Sequence, residues 1–265
     1  MIRTQTIPCR LNRQTADELN QESARHFNNV LKIHWRTYRK KNIWLRNYDT
    51  QRVEDSIGGP TILHAHSRDA AQEAFYKACK TAKANRGDGA KYPHKLKRFR
   101  TTIWKSTGIR KRDNSLLLAR ARGLQPITVA LPCHLTAFPS DHFKEMRLVW
   151  NNASCHYEWH LVVEDGKLPV QSTGTATVAV DLGEIHPAAC TDGKSTVIVT
   201  CRELRSNAQY TAKRLSVIQQ RQSSLKRDSR RWKKLQCRKN RFLAKQERRQ
   251  RDMLHKVSHA VVQVA

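Results

Sequence analysis

The chain has 265 residues, with 50 Lys+Arg against 22 Asp+Glu, a formal net charge of +28 and a pI near 10.4. Its hydrophobic fraction of 38% excludes a chain disordered throughout. No run approaches the ~20 apolar residues of a membrane span, and MIRTQTIPCR has no apolar signal-peptide core. These features point to a cytoplasmic, nucleoid-associated protein of prokaryotic type with a polyanionic partner, nucleic acid above all.

In chain order, Ile2 to Leu11 reads as a short strand. Thr15 and Glu18 have capping-box spacing, and Ala16, Leu19, Phe27, Val30, Leu31, Trp35 and Tyr38 follow at helical intervals. A second helix is predicted from Ser67 to about Lys83, with Ala70, Ala71, Ala74, Phe75, Ala78 and Ala82 on its apolar side. Ala84 to Asp113 is a basic stretch broken by Gly87, Gly89 and Pro93. Within it Lys95, Lys97, Arg98, Arg100, Lys105 and Arg110 alternate with Phe99 and Trp104, so cations for phosphates accompany aromatic faces for bases. The competing reading is a solvated basic edge whose aromatics face the core.

From Ser115 to Glu164 the segments SLLLAR, PITVALP, MRLVWN and HYEWHLVVED read as short strands of a small β-barrel or curled antiparallel sheet. A fourth segment begins near Thr175. It offers a strand ending at Asp181, a second over about Ala188 to Thr191, and a third over Thr196 to Cys201, with Asp192–Gly193 as a hairpin signal. From about Ser206 to Val264 the sequence is helical, with Asp228–Ser229 placed to fold it into a hairpin. Ile218, Leu225 and Trp232, and then Leu235 and Phe242, repeat every seven residues as a helical seam. Arg202 to Lys256 holds 19 Lys+Arg against 4 Asp+Glu, with Arg230, Arg231, Lys234, Arg238 and Lys239 the candidate phosphate contacts.

Seven cysteines lie singly and form no CxxC, so the sequence predicts reduced thiols and no zinc ribbon. Asp181 follows Val178, Ala179 and Val180 and precedes Leu182–Gly183, which places a carboxylate at the end of an expected buried strand. RNase H-like nucleases hold Mg²⁺ on such an aspartate, whereas actin-like and heat-shock ATPases turn a similar Asp-Leu-Gly toward phosphates. Glu184, Ile185 and His186 replace the hydroxyl residue that the ATPases place next, and a simple turn former is the remaining alternative. His255 and His259 have metal-ligand spacing but no HExxH context.

The order VAVDLG, AACTDGK, a third strand and a basic helical hairpin ending in RDMLHKVSHAVV resembles the TnpB/OrfB family of transposon-encoded RNA-guided nucleases, related to type V CRISPR effectors. RHFNNVL (25–31), GAKYPHKLKRFR (89–100) and CHYEWHLVVE (155–164) resemble further family segments in the same order. The resemblance implies an α+β protein in two parts. Residues 1–172 would form a β-barrel with a helical insertion that grips nucleic acid. Residues 173–265 would form the start of an RNase H-like, RuvC-like domain with a basic helical hairpin. It implies Asp181 as a catalytic carboxylate holding Mg²⁺, with guide RNA and target DNA as partners. The family pattern continues into a Glu-bearing strand, a zinc ribbon and a last Asp, so the second and third carboxylates are expected outside these residues, or on a second polypeptide. The alternative function is a catalytically inactive RNA/DNA binder; a ribosome-associated basic protein would explain the charge but not the strand order.

Overall fold

A computed structural model describes residues 1–166 and 177–264. It divides into two units: residues 1–151 with 156–166, and residues 152–155 with 177–264. The expected boundary at 172/173 and the start of the fourth segment at Thr175 lie outside the described residues. Helices and antiparallel sheets together make the protein α+β.

The first unit runs β1 (Ile2–Pro8), α1 (Arg13–Lys41), α2 (Asn47–Ile57), α3 (Ala65–Ala84), β2 (Thr102–Lys105), β3 (Ile109–Arg112), β4 (Ser115–Leu118), β5 (Ile127–Ala130), α4 (Cys133–Thr136), β6 (Phe143–Asn151) and β7 (His156–Glu164). Strand β7 buries Tyr157, Trp159, Leu161 and Val163 and leaves the residues between them less covered, the period-two pattern of a one-sided sheet. In β6 the buried set changes parity from Phe143 to Met146 and Leu148, because a bulge between Phe143 and Glu145 inserts one residue into the ladder.

Two sheets result, in the orders β1-β7-β6-β2 and β3-β4-β5. They share a core that includes Trp104, Leu116, Leu118, Leu148 and Trp159. The expected barrel is not closed: among the described residues β1 pairs only with β7 and β5 only with β4. Pro8 ends β1, while Pro126 and Pro132 flank β5; proline has no N–H to extend a ladder.

The expected capping box at Thr15 and Glu18 gives way to an earlier cap. Asn12 Oδ1 accepts the Gln14 amide at 3.0 Å, so Thr15 is already inside the helix. Helix α2 has no apolar period to reveal it: its large apolar residues Tyr48, Val53 and Ile57 are exposed, and Thr50 and Glu54 are the buried ones.

The second unit continues with β8 (Ala179–Asp181), β9 (Ala188–Thr191), β10 (Thr196–Val199), α5 (Arg202–Ser223) and α6 (Arg230–Val264). Its sheet has the order β10-β9-β8, antiparallel throughout. The link between β9 and β10 is four residues rather than two: Asp192 Oδ1 accepts the Lys194 and Ser195 amides at 2.8 and 2.6 Å, and Gly193 takes φ 86°. Helix α6 packs on β9 and β10, burying Ala188 and Cys190. Between α5 and α6 the seam is partly polar, with Gln222 and Gln246 buried and Gln222 Nε2 donating to Gln236 Oε1 at 2.8 Å. Leu225 falls in the turn between the helices, so its heptad spacing to Ile218 and Trp232 does not continue one helix.

Candidate nucleic-acid interface and the Asp181 carboxylate

In the first unit, RHFNNVL lies on α1 and alternates two duties. Phe27, Val30 and Leu31 join Phe75 and Cys79 in a second apolar cluster. Between them, Asn28 Nδ2 donates to the Lys97 carbonyl at 2.7 Å, and its Oδ1 accepts the Lys97 amide at 2.9 Å. The basic stretch is held at three further points. Trp35 Nε1 donates to the Pro93 carbonyl at 2.8 Å, the Arg100 amide donates to the Asn20 carbonyl at 2.9 Å, and the Arg100 guanidinium sits 3.8 Å above the Phe27 ring. Residues 93–100 are thus fixed along α1.

This attachment sorts the candidates. Lys95, Lys97 and Arg98 are exposed. Lys97 and Arg98 line a shallow depression of ≈ 360 Å³ with Lys32, Arg25, Asn28 and Asn29, a polar and cationic surface suited to phosphate oxygens. Arg110 is also exposed. Lys105 is held by Glu73 at 2.8 Å. Arg100 is half-buried on Phe27, and burial lowers its pKa. Trp104 is not a stacking platform: it is 1% exposed, donates to the Ala119 carbonyl at 2.8 Å and meets Trp159 edge-on. Its place in β2, with alternate residues inward, turns the ring into the core.

The same helix carries a buried charged network. His26 Nδ1 lies 2.8 Å from Glu54 Oε1, and its Nε2 lies 3.0 Å from Thr61 Oγ1. Asn29 and Gln72 donate to the two Glu54 oxygens at 3.0 and 2.6 Å. Burial works against charge on His26, yet hydrogen bonds with Glu22 and Glu54 outweigh it and raise the imidazole pKa. Burial likewise opposes ionisation of Glu54, and its contacts with His26, Asn29 and Gln72 lower it nonetheless. At Glu22, hydrogen bonds from His26, Arg25 and Thr61 overcome burial and hold the carboxyl at about 2. Arg25 closes the bracket by donating to the Gly58 and Pro60 carbonyls. These contacts fix α2 and the 58–61 turn against α1; only the motif itself hinted at them in the sequence.

In the second unit, Asp181 ends β8 and pairs in register with Ala189. The expected buried strand is exposed along its whole length: among the described residues β8 pairs only with β9, and α6 packs on β9 and β10. Among the described residues no three His, Cys, Asp or Glu side chains converge. Asp192 turns its carboxylate into its own loop, where the Ser195 and Lys194 amides lower its pKa. Asp181 therefore belongs to no group of three such side chains, and the described residues alone do not make up an Mg²⁺ donor set. His255 and His259 are both exposed on α6.

Helix α6 carries a feature the sequence reading caught only in part. Arg231, Lys234, Arg238, Arg241, Lys245 and Arg248 recur at alternating steps of three and four, and all six are exposed. At ~1.5 Å per residue they line one face for about 26 Å. Among the described residues the α6 ion pairs are Arg251–Glu247 and Lys256–Asp252, which leave this row out. Trp232, Leu235, Phe242, Gln246 and Met253 are the more covered positions. Arg230 is exposed at the start of the helix, and Lys239 is half-buried.

A three-stranded antiparallel sheet followed by a strongly basic helical hairpin makes this part a cationic module. Residues 160–265 match the OrfB_IS605 family, described as a probable transposase. This similarity covers the C-terminal part of the chain and is consistent with the TnpB/OrfB family. Comparison with curated proteins finds no match. Among the described residues no helix is long and apolar enough to cross a membrane.

Proposed function

We propose that the chain acts as a TnpB-like, transposon-associated nuclease component that binds a guide RNA and its DNA target through phosphate contacts. The observation that carries this reading is the cationic row on α6. Over about 26 Å, one strand of a B-form duplex presents about eight phosphates, so six aligned cations match a polyanionic backbone and carry no base information. The exposed Lys95, Lys97 and Arg98 supply a second cationic surface in the first unit. Sequence selectivity would then rest with base pairing by the RNA.

In this reading the β8–β9–β10 sheet is the opening of a RuvC-like fold and Asp181 is one of its carboxylates. The described residues alone do not bring together the three donors of a metal-dependent step. That same observation favours the second reading, a nucleic-acid binder that does not cut by itself.

One experiment separates the two. The purified chain with its co-purified RNA is assayed for DNA binding across a salt series and for DNA cleavage, beside Asp181→Ala and a double variant Arg238→Gln/Arg241→Gln. The proposal expects steep salt dependence, flattened by about two in the log–log slope in the double variant. Cleavage lost in Asp181→Ala supports the nuclease. Binding without cleavage in any form supports the binder. A flat salt response overturns both.

A further inference from the structure

The second unit brings together two cysteines that the sequence separates by 82 residues: Cys155 Sγ lies 2.9 Å from Cys237 Sγ. Cys155 closes the Asn152–Cys155 turn, and Cys237 is on α6. Asn240, three residues further along α6 and so on the same face, donates to the Asn152 carbonyl at 3.4 Å. The turn and the helix therefore meet at two points, and the sulfurs are one of them. Both cysteines are half-buried, whereas Cys79 and Cys190 are buried in cores.

Cys155 also adopts φ 57°, in the left-handed region that residues with a β-carbon avoid. Glycine or asparagine is the ordinary occupant of such a position. Strained backbone of this kind persists where the surroundings over-determine it, and it clusters at sites with a task. Here the strained residue is the one whose sulfur meets Cys237.

We propose that Cys155 and Cys237 are an oxidative modification site, a dithiol that closes to a disulfide and locks α6 onto the Asn152–Cys155 turn. An S–S bond is ~2.05 Å long, so the sulfurs need to approach by less than ~1 Å. The oxidant is a small-molecule disulfide such as oxidised glutathione. One protein sulfur displaces the first glutathione as its thiol and forms a mixed disulfide. The second protein sulfur displaces the other glutathione. One protein S–S bond forms, the small disulfide is reduced to two thiols, and both protons end on those thiols. The inference stands apart from the nucleic-acid reading, since it needs only these two residues.

The test incubates the full chain in glutathione mixtures of increasing oxidised fraction. The readouts are peptide mass mapping, migration on non-reducing gels and amide hydrogen exchange along α6, for the wild type, Cys155→Gly and Cys237→Ser. Glycine takes the left-handed backbone without cost, so Cys155→Gly keeps the turn while deleting the thiol. The expected result is a cross-linked peptide joining Cys155 to Cys237. Faster migration that a reductant reverses, and slower exchange around Cys237, would accompany it. All three should be lost in both variants. Separate glutathione adducts on the two cysteines without a cross-link overturn the proposal. So do cross-links that instead join either cysteine to Cys9, Cys133 or a second chain.

Discussion

Asn28 grips Lys97 by both ends of its peptide environment, donating to the Lys97 carbonyl at 2.7 Å and accepting the Lys97 amide at 2.9 Å. This two-point contact makes an otherwise extended basic segment behave as part of α1. The side chains of Lys97 and Arg98 stay exposed while their backbone is fixed. Cations held in place in this way lose less freedom when they meet a phosphate chain.

Replacing Asn28 with Ala should therefore loosen residues 95–98 without unfolding the unit. Two side-chain hydrogen bonds contribute about 1–3 kcal/mol together. Hydrogen exchange should rise at the Lys97 amide and leave α3 unchanged. An unaltered Lys97 amide would show that the segment is held without this side chain.

The His26–Glu54 pair makes the first unit sensitive to pH on both sides. Glu22 and Glu54 have lowered folded pKa values, so their stabilisation is present above their unfolded range near 4.5 and is lost as pH falls toward about 2 for Glu22. His26 has a raised folded pKa, so its stabilisation is complete below its ordinary value of 6.5 and is lost as pH rises through the raised one. Thermal unfolding monitored at pH 3, 5.5 and 9 should give the highest midpoint at pH 5.5. Glu54→Ala strands a buried imidazole and should cost about 3–5 kcal/mol.

Gly58 has an ordinary φ of −70°, so space rather than backbone freedom demands glycine. A β-carbon there would lie 2.6 Å from the Glu54 carbonyl and 2.7 Å from its Oε1. Gly58→Ala should destabilise the unit by about 1–3 kcal/mol through the same network. Combined with Glu54→Ala it should cost less than the sum, because the clash with Oε1 is relieved while that with the carbonyl stays. Additive chemical-denaturation free energies would contradict this coupling.

Trp104→Ala and Arg98→Ala separate the core from the surface. The tryptophan change should cost about 3–5 kcal/mol of stability. The arginine change should leave the melting temperature alone and reduce the salt slope of nucleic-acid binding by about one. A Trp104→Phe protein that folds normally yet loses RNA affinity selectively would restore the stacking role that burial argues against.

Much of this architecture was legible in the sequence. Strands β4 to β7 follow from short apolar runs punctuated by Pro126, Pro132, Pro139, Asn151 and Asn152. The β9 strand appeared at Ala188–Thr191, and α5 and α6 part around Asp228, whose left-handed φ of 64° suits the turn foreseen there. What escaped has physical causes. Helix α2 buries Thr50 and Glu54 in place of apolar residues, so no hydrophobic period announced it. Strands β2 and β3 are four residues each and sit within a run whose charge dominated its reading. The depth of Trp104 depended on which face of β2 it occupied, a matter of register that composition does not reveal. The cation row on α6 continues through Arg241, Lys245 and Arg248 at the spacing of its first three members. That periodicity was available in the letters alone.

Strand β1 pairs along its whole length with β7, from Ile2 opposite Glu164 to Pro8 opposite Glu158, and the N-terminal ammonium reaches Asp165 at 2.8 Å. A strand early in this unit is thus completed by one more than 150 residues later, as Ile2 opposite Glu164 shows. During synthesis at ~5–20 residues per second, β1 must wait roughly 10–30 s for its partner to emerge. The residues of α1 and α3, which meet at Phe27 and Phe75, have all emerged well before then. The nascent chain thus carries an unmatched strand edge beside a fully emerged helical lobe, and Arg3 and Arg10 place positive charge next to it during the wait. Such charge is what discourages a lone edge from pairing with its neighbours on a polysome.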